Sequence, residues 1–246
     1  MDNGTKYGSM YQVSTLQALA QGYIRPVVTV GELIEHGNTG LGTFEGVNGE
    51  MIVIDGICYR ALSDGTVELP SADDGVPFAS LAYLEGDMYF DLEHVASIEE
   101  LKDILNLRIE EGFGLNSMHV ARIDGTFEKV FARSESASQT QHVTLKDLLS
   151  TTQREFSYTN IKGTLICVYY PAYMDGINAA GWHLHFISED RSVGGHVFNL
   201  SLEVGQVCLD KISRLEIQLP REAAFDVYML NEASQEEIKE VEQGQG

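Results

Sequence analysis

Residues 181–187 read GWHLHFI, and residues 194–198 read GGHVF after a short polar connection. Side chains alternate between the two faces of a β-strand, so His183 and His185 are expected on the same face. The connection is rich in turn residues and predicts a tight hairpin. Such a hairpin pairs position 185 with His196, and directly opposed residues share a face with Cβ atoms about 4.5–5.5 Å apart. The pattern therefore predicts that three imidazoles converge on one patch.

Three imidazoles in one patch would repel one another on protonation. A divalent metal resolves this, because neutral imidazole is its commonest nitrogen ligand. Three protein ligands leave coordination positions open for a substrate, which is typical of catalytic metal sites. The sequence therefore predicts a catalytic metal site at His183, His185 and His196, with zinc as the default ion. Imidazole ligands are also compatible with iron, nickel or manganese.

Two other interpretations of these histidines stay open. The spacing His183-x-His185-x-x-x-Glu189 resembles the first metal motif of the cupin barrels, in which the glutamate is a ligand. It would indicate a metal-dependent oxygenase or isomerase that uses His183, His185 and Glu189. Alternatively, the histidines are structural, and the chain is a β-protein that binds a sugar or another small molecule without catalysis.

Most of the remaining chain carries β-strand patterns separated by turn signals. Strands are expected at 43–47, 50–55, 57–62, 77–84, 87–93, 162–170, 181–188, 195–203 and 206–219. Residues 117–123 and 126–133 are expected to form a further hairpin around Asp124-Gly125. Short helices are expected at 14–21, 29–37, 98–109 and 144–150, and capping boxes are expected at Thr29 with Glu32 and at Ser97 with Glu100.

These elements predict an α+β fold of mostly antiparallel or mixed β-sheets in two packed lobes, with a few short helices. Residues 1–10 are expected to form a flexible N-terminal tail, and residues 11–246 a single catalytic unit. Within that unit, the β lobes are expected roughly at 11–134 and 155–230. A C-terminal tail helix at 234–242 is expected to fold back to the site.

Composition limits the partners of the chain. Its 246 residues include 16 Lys and Arg against 37 Asp and Glu, for a net charge of −21. Nucleic acid and anionic membranes are poor partners for such a chain, because both attract clustered basic residues. An anionic substrate would need a local cation or metal. The three cysteines lie in apolar runs and the first residues lack a secretory-signal pattern, so we expect a cytoplasmic protein.

Several separated segments are informative as a set. They are Tyr11-Gln12-Val13-Ser14-Thr15, Gly40–Phe44, Gly49–Ile52, Ser63–Thr66, Arg122–Gly125, Gly163-Thr164, Pro171–Tyr173 and the histidine hairpin itself. Together they resemble the acetolactate decarboxylases over residues 11 to about 242, which is almost the whole chain. Several blocks in the same order are more specific than the H-x-H motif alone.

The resemblance implies a carboxy-lyase that converts (S)-2-acetolactate to (R)-acetoin and CO2, on the route to 2,3-butanediol. It implies a homodimer with one zinc ion per chain, bound by His183, His185 and His196. The residues that match the family's catalytic positions are Arg133, Glu50, Glu242 and Thr43. The tail position is the least defined, and Glu240 or Glu237 are alternatives to Glu242.

The chemistry of this substrate agrees with these residue types. Acetolactate is a β-keto acid, so loss of CO2 leaves an enediolate, whose negative charge a metal stabilises as a Lewis acid. The guanidinium of Arg133 suits a departing carboxylate, because its planar fork can donate two parallel hydrogen bonds. Glu50, Glu242 and Arg133 all remain candidates for the group that protonates the enediolate.

Overall fold

The larger of two main sheets has seven strands. The computed structural model describes residues 7–138, 143–228 and 230. In spatial order the larger sheet contains β14 (Arg214–Gln218), β1 (Ser9–Val13), β8 (Phe78–Ala82), β3 (Thr39–Thr43), β4 (Glu50–Ile54), β5 (Ile57–Ala61) and β6 (Val67–Glu68). Its strands are antiparallel except for β1 and β14, which run parallel.

The smaller sheet curls on itself. It contains β9 (Met88–Val95), β10 (Met118–Glu135), β11 (Gln153–Tyr170), β12 (Gly181–Ser188) and β13 (Gly194–Ile212). Strand β10 pairs with both β11 and β13, and β12 pairs with the same two strands, so four strands form a closed ring. Strands β2 (Val28–Thr29) and β7 (Gly75–Val76) form a small additional pair.

The helices in the described part of the chain are few, and all but one are short. They are α1 (Leu16–Ala20), α2 (Val30–Leu33), α3 (Ile98–Gly112), α4 (Leu145–Thr152) and α5 (Ala223–Asp226), with 3-10 turns at Ile34–His36, Glu45–Val47 and Ala172–Met174. The predicted α+β class, with antiparallel and mixed sheets and short helices, is confirmed.

Helix starts follow the expected capping chemistry. The side chain of Thr29 accepts from the backbone N–H of Glu32, and the Glu32 carboxylate accepts from the N–H of Thr29, so the predicted capping box is confirmed. At α3, Ser97 Oγ accepts from the N–H of Glu100 as expected. The Glu100 carboxylate, however, accepts from the N–H of Ala96 rather than that of Ser97.

The predicted hairpin at 117–133 is wrong, because β10 runs straight through Asp124-Gly125. Gly125 lies opposite Gly163 on β11 and Gly205 on β13. A Cβ atom at Gly125 would lie 2.5 Å from the carbonyl oxygen of Val204. The glycine therefore permits close strand packing rather than a turn.

Several local boundaries also differ from the prediction; for example, the strands expected at 195–203 and 206–219 are largely one strand, β13. The strand expected at 43–47 ends at Thr43, and a 3-10 turn follows in which Gly46 and Val47 have φ of 72° and 55°. Ser9 and Met10, which are expected in the flexible tail, belong instead to β1, and Met10 is fully buried. Residues 1–6 lie outside the described part of the chain.

The sheets do not divide along the chain as the two expected lobes do. Strands β9 and β10 fall in the expected first lobe but belong to the smaller sheet. Strand β14, from the expected second lobe, returns to pair with β1 in the larger sheet. The two halves of the chain are therefore interleaved. The predicted helix at 234–242 lies outside the described residues.

The loop between β8 and β9 joins the two sheets. The carboxylate of Asp210, on β13, accepts hydrogen bonds of 2.6 Å from the backbone N–H groups of Glu85, Gly86 and Asp87.

Within 7–138, 143–228 and 230, no helix is long and apolar enough to cross a membrane. All three cysteines are free, with Cys58 and Cys167 buried and Cys208 partly exposed.

Candidate active site

The three histidines converge as the sequence predicts. Strand β12 pairs with β13 so that His185 lies directly opposite His196. His183 Nε2 lies 3.1 Å from His185 Nε2 and 3.0 Å from His196 Nδ1. All three side chains are buried. The predicted hairpin register is therefore confirmed.

Hydrogen bonding and burial favour the neutral form of His183 and His185. His185 Nδ1 lies 2.8 Å from the carbonyl oxygen of Met51, so Nδ1 carries the proton and the lone pair of Nε2 faces the other two rings. Burial, reinforced by the charges of Arg133 and Lys102, lowers the pKa of His183 to about 3. Burial and the neighbouring His183 hold the pKa of His185 well below its usual value.

This arrangement fits a metal ion. His183 Nε2 carries at most one hydrogen, which cannot point at both neighbouring nitrogens, whereas a cation between the three rings satisfies all of them. In tetrahedral zinc sites with Zn–N bonds of 2.0–2.1 Å, ligand nitrogens lie about 3.3 Å apart, close to the separations around His183. Among the described residues, His183, His185 and His196 form the group that could hold a metal.

The larger sheet contributes Glu50 and Thr43 to the site. The Asn48-Gly49 turn, in which Gly49 has a φ of 91°, leads into β4, and Glu50 is its first residue. Glu50 Oε2 lies 3.3 Å from His185 Nε2, and the side chain is buried. Thr43 lies opposite Glu50 on β3, and its hydroxyl donates to the carbonyl oxygen of Gly49. Both predicted residues therefore lie at the histidine cluster.

Arg133 is positioned by strand register. It lies directly opposite His196 in the β10–β13 pair, is buried, and donates from Nη1 to Gln153 Oε1 at 3.0 Å. The next residue, Ser134, donates its hydroxyl to the carbonyl oxygen of Ala61 and so ties β10 to the larger sheet. Arg133 therefore places a buried cation beside the histidine cluster.

One pocket opens onto these groups. It is lined by side chains from both sheets, the 45–47 turn, α1 and α4, namely Leu19, Gly42, Thr43, Val47, Glu50, Phe78, Arg133, Glu135, Leu145, Leu149, His183 and His196. Glu135, which the sequence pattern does not single out, is only 1% exposed. Glu135 could have been found from its spacing, because residues two apart on a strand share a face and Glu135 is two residues from Arg133.

Two residues near the histidines in sequence, Glu189 and Trp182, lie away from the cluster. Glu189 is exposed in the turn after β12 and lines a different pocket with Lys162 and Arg191, so it does not join the histidine cluster as the cupin interpretation requires. Trp182 points to the opposite side of β12, packs in the core and donates to Asn106 Oδ1. Glu242 and its alternatives, Glu240 and Glu237, lie outside the described residues.

The fold and the site together define a β-rich protein with a buried group of three histidines that could hold a metal ion. Comparison with known proteins agrees on a family. Residues 10–232 match the alpha-acetolactate decarboxylase family. The chain therefore belongs to the alpha-acetolactate decarboxylase family. The predicted enzyme class, a carboxy-lyase, is confirmed by this membership.

Individual relatives support this assignment over most of their length. The chain is 39% identical to an alpha-acetolactate decarboxylase of Methanosarcina mazei, over 95% of this chain and 80% of the relative. It is 36% identical to the alpha-acetolactate decarboxylase of Lactococcus lactis subsp. lactis, over 88% of this chain and 89% of the relative. The crystal structure of alpha-acetolactate decarboxylase from Bacillus subtilis superimposes with a TM-score of 0.91 at 32% identity, covering 96% of this chain and all of that one.

Proposed function

We propose that the protein decarboxylates (S)-2-acetolactate to (R)-acetoin and CO2 on a pathway to acetoin and 2,3-butanediol. The observation that carries the proposal is the convergence of three buried histidines, Arg133 and Glu50 on one pocket. The proposal is also supported by the names of the relatives, all of which refer to this substrate. An anionic substrate would enter a chain of net charge −21 because a divalent ion on the histidines, together with Arg133, outweighs the carboxylates of Glu50 and Glu135.

His183, His185 and His196 hold one divalent metal ion per chain, for which we propose zinc. When bound, the ion supplies Lewis acidity that stabilises negative charge developing on the substrate's oxygens. His185 is oriented for this role by the carbonyl oxygen of Met51, which holds its proton on Nδ1. The low pKa values of His183 and His185 leave both rings ready to bind without first losing a proton.

Arg133 binds the carboxylate of the substrate. Its guanidinium donates a hydrogen bond to Gln153, and this bond fixes the orientation of the planar group. The position opposite His196 puts this cation at the edge of the histidine cluster. The substrate is thereby held by its carboxylate while the remaining polar groups reach the metal side of the pocket.

The reaction then requires one bond cleavage and one proton transfer. The bond between C2 and the carboxylate breaks, CO2 leaves, and the electron pair moves into the C2–C3 bond and the ketone oxygen to give the enediolate. A proton is then delivered to C2 on one face to give acetoin. We propose Glu50 as the group that handles this proton, because its buried carboxylate adjoins the cluster. Glu242 and Arg133 remain alternatives.

The assembly and location of the protein are part of the same proposal. We expect a cytoplasmic homodimer, in which the dimer is what the family resemblance implies. Strands β14 and β9, which lie at the ends of their sheets, offer edges on which a second copy can pair. Light scattering should give twice the chain mass of 27.2 kDa, and a mass of one chain would contradict the dimer.

The proposed reaction is tested with zinc-loaded protein and racemic acetolactate. We expect CO2 and acetoin of predominantly one configuration, R, with half of the racemate consumed rapidly. Chelator-treated protein and a protein-free sample are the controls, because acetolactate also loses CO2 spontaneously. Acetoin release no faster than in the protein-free sample would contradict the proposal.

A further inference from the structure

A second pocket opens where β10, β11 and the turn after β12 meet. Its volume is about 450 Å³, which is the size of a small-molecule site. Three of its nine lining residues are basic, namely Arg122, Lys162 and Arg191, and we name it the basic pocket. Two segments that carry the family resemblance, Arg122–Gly125 and Gly163-Thr164, contribute to its lining. The proposed decarboxylation uses neither segment, so their role is open.

Arg122 is held in place by carboxylates from both sheets. Its Nε donates to Asp124 Oδ2 at 2.7 Å, and its Nη1 donates to the two carboxylate oxygens of Asp55 at 3.0 and 3.1 Å. Asp55 follows β4 of the larger sheet, so this ion pair links the two sheets beside the basic pocket. The Asp124 carboxylate also accepts from the hydroxyl of Thr164 at 2.6 Å. Arg122 and Asp124 therefore form a wall of the pocket in which the positive charge is already compensated.

The charges of Lys162 and Arg191 are not compensated in this way. Neither side chain forms an ion pair with an acidic residue in the described part of the chain. Arg191 donates from Nη1 to the carbonyl oxygen of Ser188 at 3.0 Å, a bond that leaves its positive charge in place. The other acidic residue of the lining, Glu189, is exposed and pairs with neither cation. The basic pocket thus contains two uncompensated cations against one exposed carboxylate, in a chain of net charge −21.

The turn that carries Arg191 is fixed by its own side chains. Asp190 Oδ1 accepts from the hydroxyl of Ser188 at 2.7 Å, and from the N–H and the hydroxyl of Ser192 at 3.1 and 2.7 Å. Arg191 itself has a φ of 61°, in the left-handed region that few non-glycine residues adopt. Its guanidinium carbon also lies 5.6 Å from the centre of the Tyr59 ring, on the larger sheet. These contacts orient the guanidinium in advance, which lowers the entropic cost of binding an anion.

We propose that the basic pocket binds a small oxyanion, a phosphate or a carboxylate group, through Lys162 and Arg191. A guanidinium can donate two parallel hydrogen bonds to such a group, and an ammonium adds a compact charge. The basic pocket shares no lining residue with the histidine site. Along β12 and its turn, the buried Ile187 lies between His185 and Glu189. The anion site is therefore separate from the active site, and the inference does not depend on the proposed reaction.

The test titrates zinc-loaded protein, freed of unbound zinc, with inorganic phosphate and separately with succinate. Binding is measured by isothermal titration calorimetry at constant ionic strength, because salt screens exposed charges. We expect the wild type to bind at least one of these anions. Lys162→Gln and Arg191→Gln should each weaken that binding about fivefold or more, since each removes a charged donor. Lys129→Gln is the matched control, because Lys129 is exposed on β10 but does not line the basic pocket, and its Kd should stay within about twofold of the wild type.

A variant of the histidine site distinguishes the two places where an anion can bind. His196→Ala should keep the anion binding, because His196 does not line the basic pocket. Binding that is lost in His196→Ala but kept in Lys162→Gln and Arg191→Gln would place the anion on the metal and overturn the inference. Absence of binding of both anions to the wild type would overturn it as well, and so would an equal weakening in Lys129→Gln.

The two anions also identify the group that the pocket recognises. Binding of phosphate alone indicates a phosphate ligand, and binding of succinate indicates that a carboxylate is sufficient. Circular dichroism shows whether each variant is folded. Should Arg191→Gln fail to fold, Lys162→Gln decides the question, because Lys162 lies on β11 rather than in the turn. An unchanged affinity in that variant would contradict the proposed site.

Discussion

Replacing Arg133 with lysine separates charge from geometry at the proposed carboxylate site. The guanidinium is buried, lies opposite His196, and is oriented by its hydrogen bond to Gln153. Lysine keeps the positive charge but lacks the planar fork, so at least one charge-assisted hydrogen bond to the substrate is lost. Such a bond contributes about 1.5–3 kcal/mol. The expected fall in kcat/KM for acetolactate is therefore about 10- to 150-fold.

The assay is initial-rate acetoin release, with bound metal measured on the same preparations. Metal content should not change in Arg133→Lys, because Arg133 is not a proposed ligand. Arg108→Lys is the matched control, since Arg108 is 47% exposed and pairs with Glu111 on the outside of α3. A kcat/KM for Arg133→Lys within twofold of the wild type would refute the assigned role. An equal loss in Arg108→Lys would refute it as well.

Two further predictions concern stability. His119 is fully buried, and burial lowers its pKa to about 4 from about 6.5 in the unfolded chain. The contribution of neutral His119 to the free energy of unfolding is therefore complete above about pH 6.5. The protein loses about 3 kcal/mol of this free energy as the pH falls to about 4, because the buried imidazole becomes protonated. Urea titrations should show that His119→Phe loses less unfolding free energy than the wild type between about pH 6.5 and about pH 4, by that same amount of about 3 kcal/mol. Identical pH profiles of stability in the two proteins would contradict this prediction. Asp210→Asn should lower the free energy of unfolding by about 2–3 kcal/mol, because a carboxylate accepting from Glu85, Gly86 and Asp87 becomes an amide. An unchanged urea midpoint would show that this loop does not need the charge.

The histidine cluster was predictable because its geometry is local. Alternation places His183 and His185 on one face, and a short hairpin is enough to bring His196 opposite. No knowledge of distant parts of the chain is needed. Helix starts at Thr29 and Ser97 were predictable for the same reason, since a cap and its partner lie within one turn.

Features that depend on distant pairing were not predictable from local patterns. Asp124-Gly125 has the composition of a hairpin turn. In the structure, however, Gly125 lies inside β10 between β11 and β13, where it allows the three strands to pack closely. The pairing of β14 with β1 brings together segments about 200 residues apart in the sequence. Glu50 reaches the histidines only because the two sheets pack against each other. The hydrogen bond from His185 to the carbonyl oxygen of Met51 is one contact between them. Only the family resemblance indicated Glu50 and Arg133 beforehand.

The most direct test of the account measures bound metal and acetoin release on one preparation of the wild type, His196→Ala and Glu189→Gln. We expect about one zinc per chain and acetoin release in the wild type and in Glu189→Gln, and loss of both in His196→Ala. If His196→Ala keeps its metal while Glu189→Gln loses it, the three-histidine site is wrong. If the wild type binds metal but releases no acetoin from acetolactate, the proposed reaction is wrong.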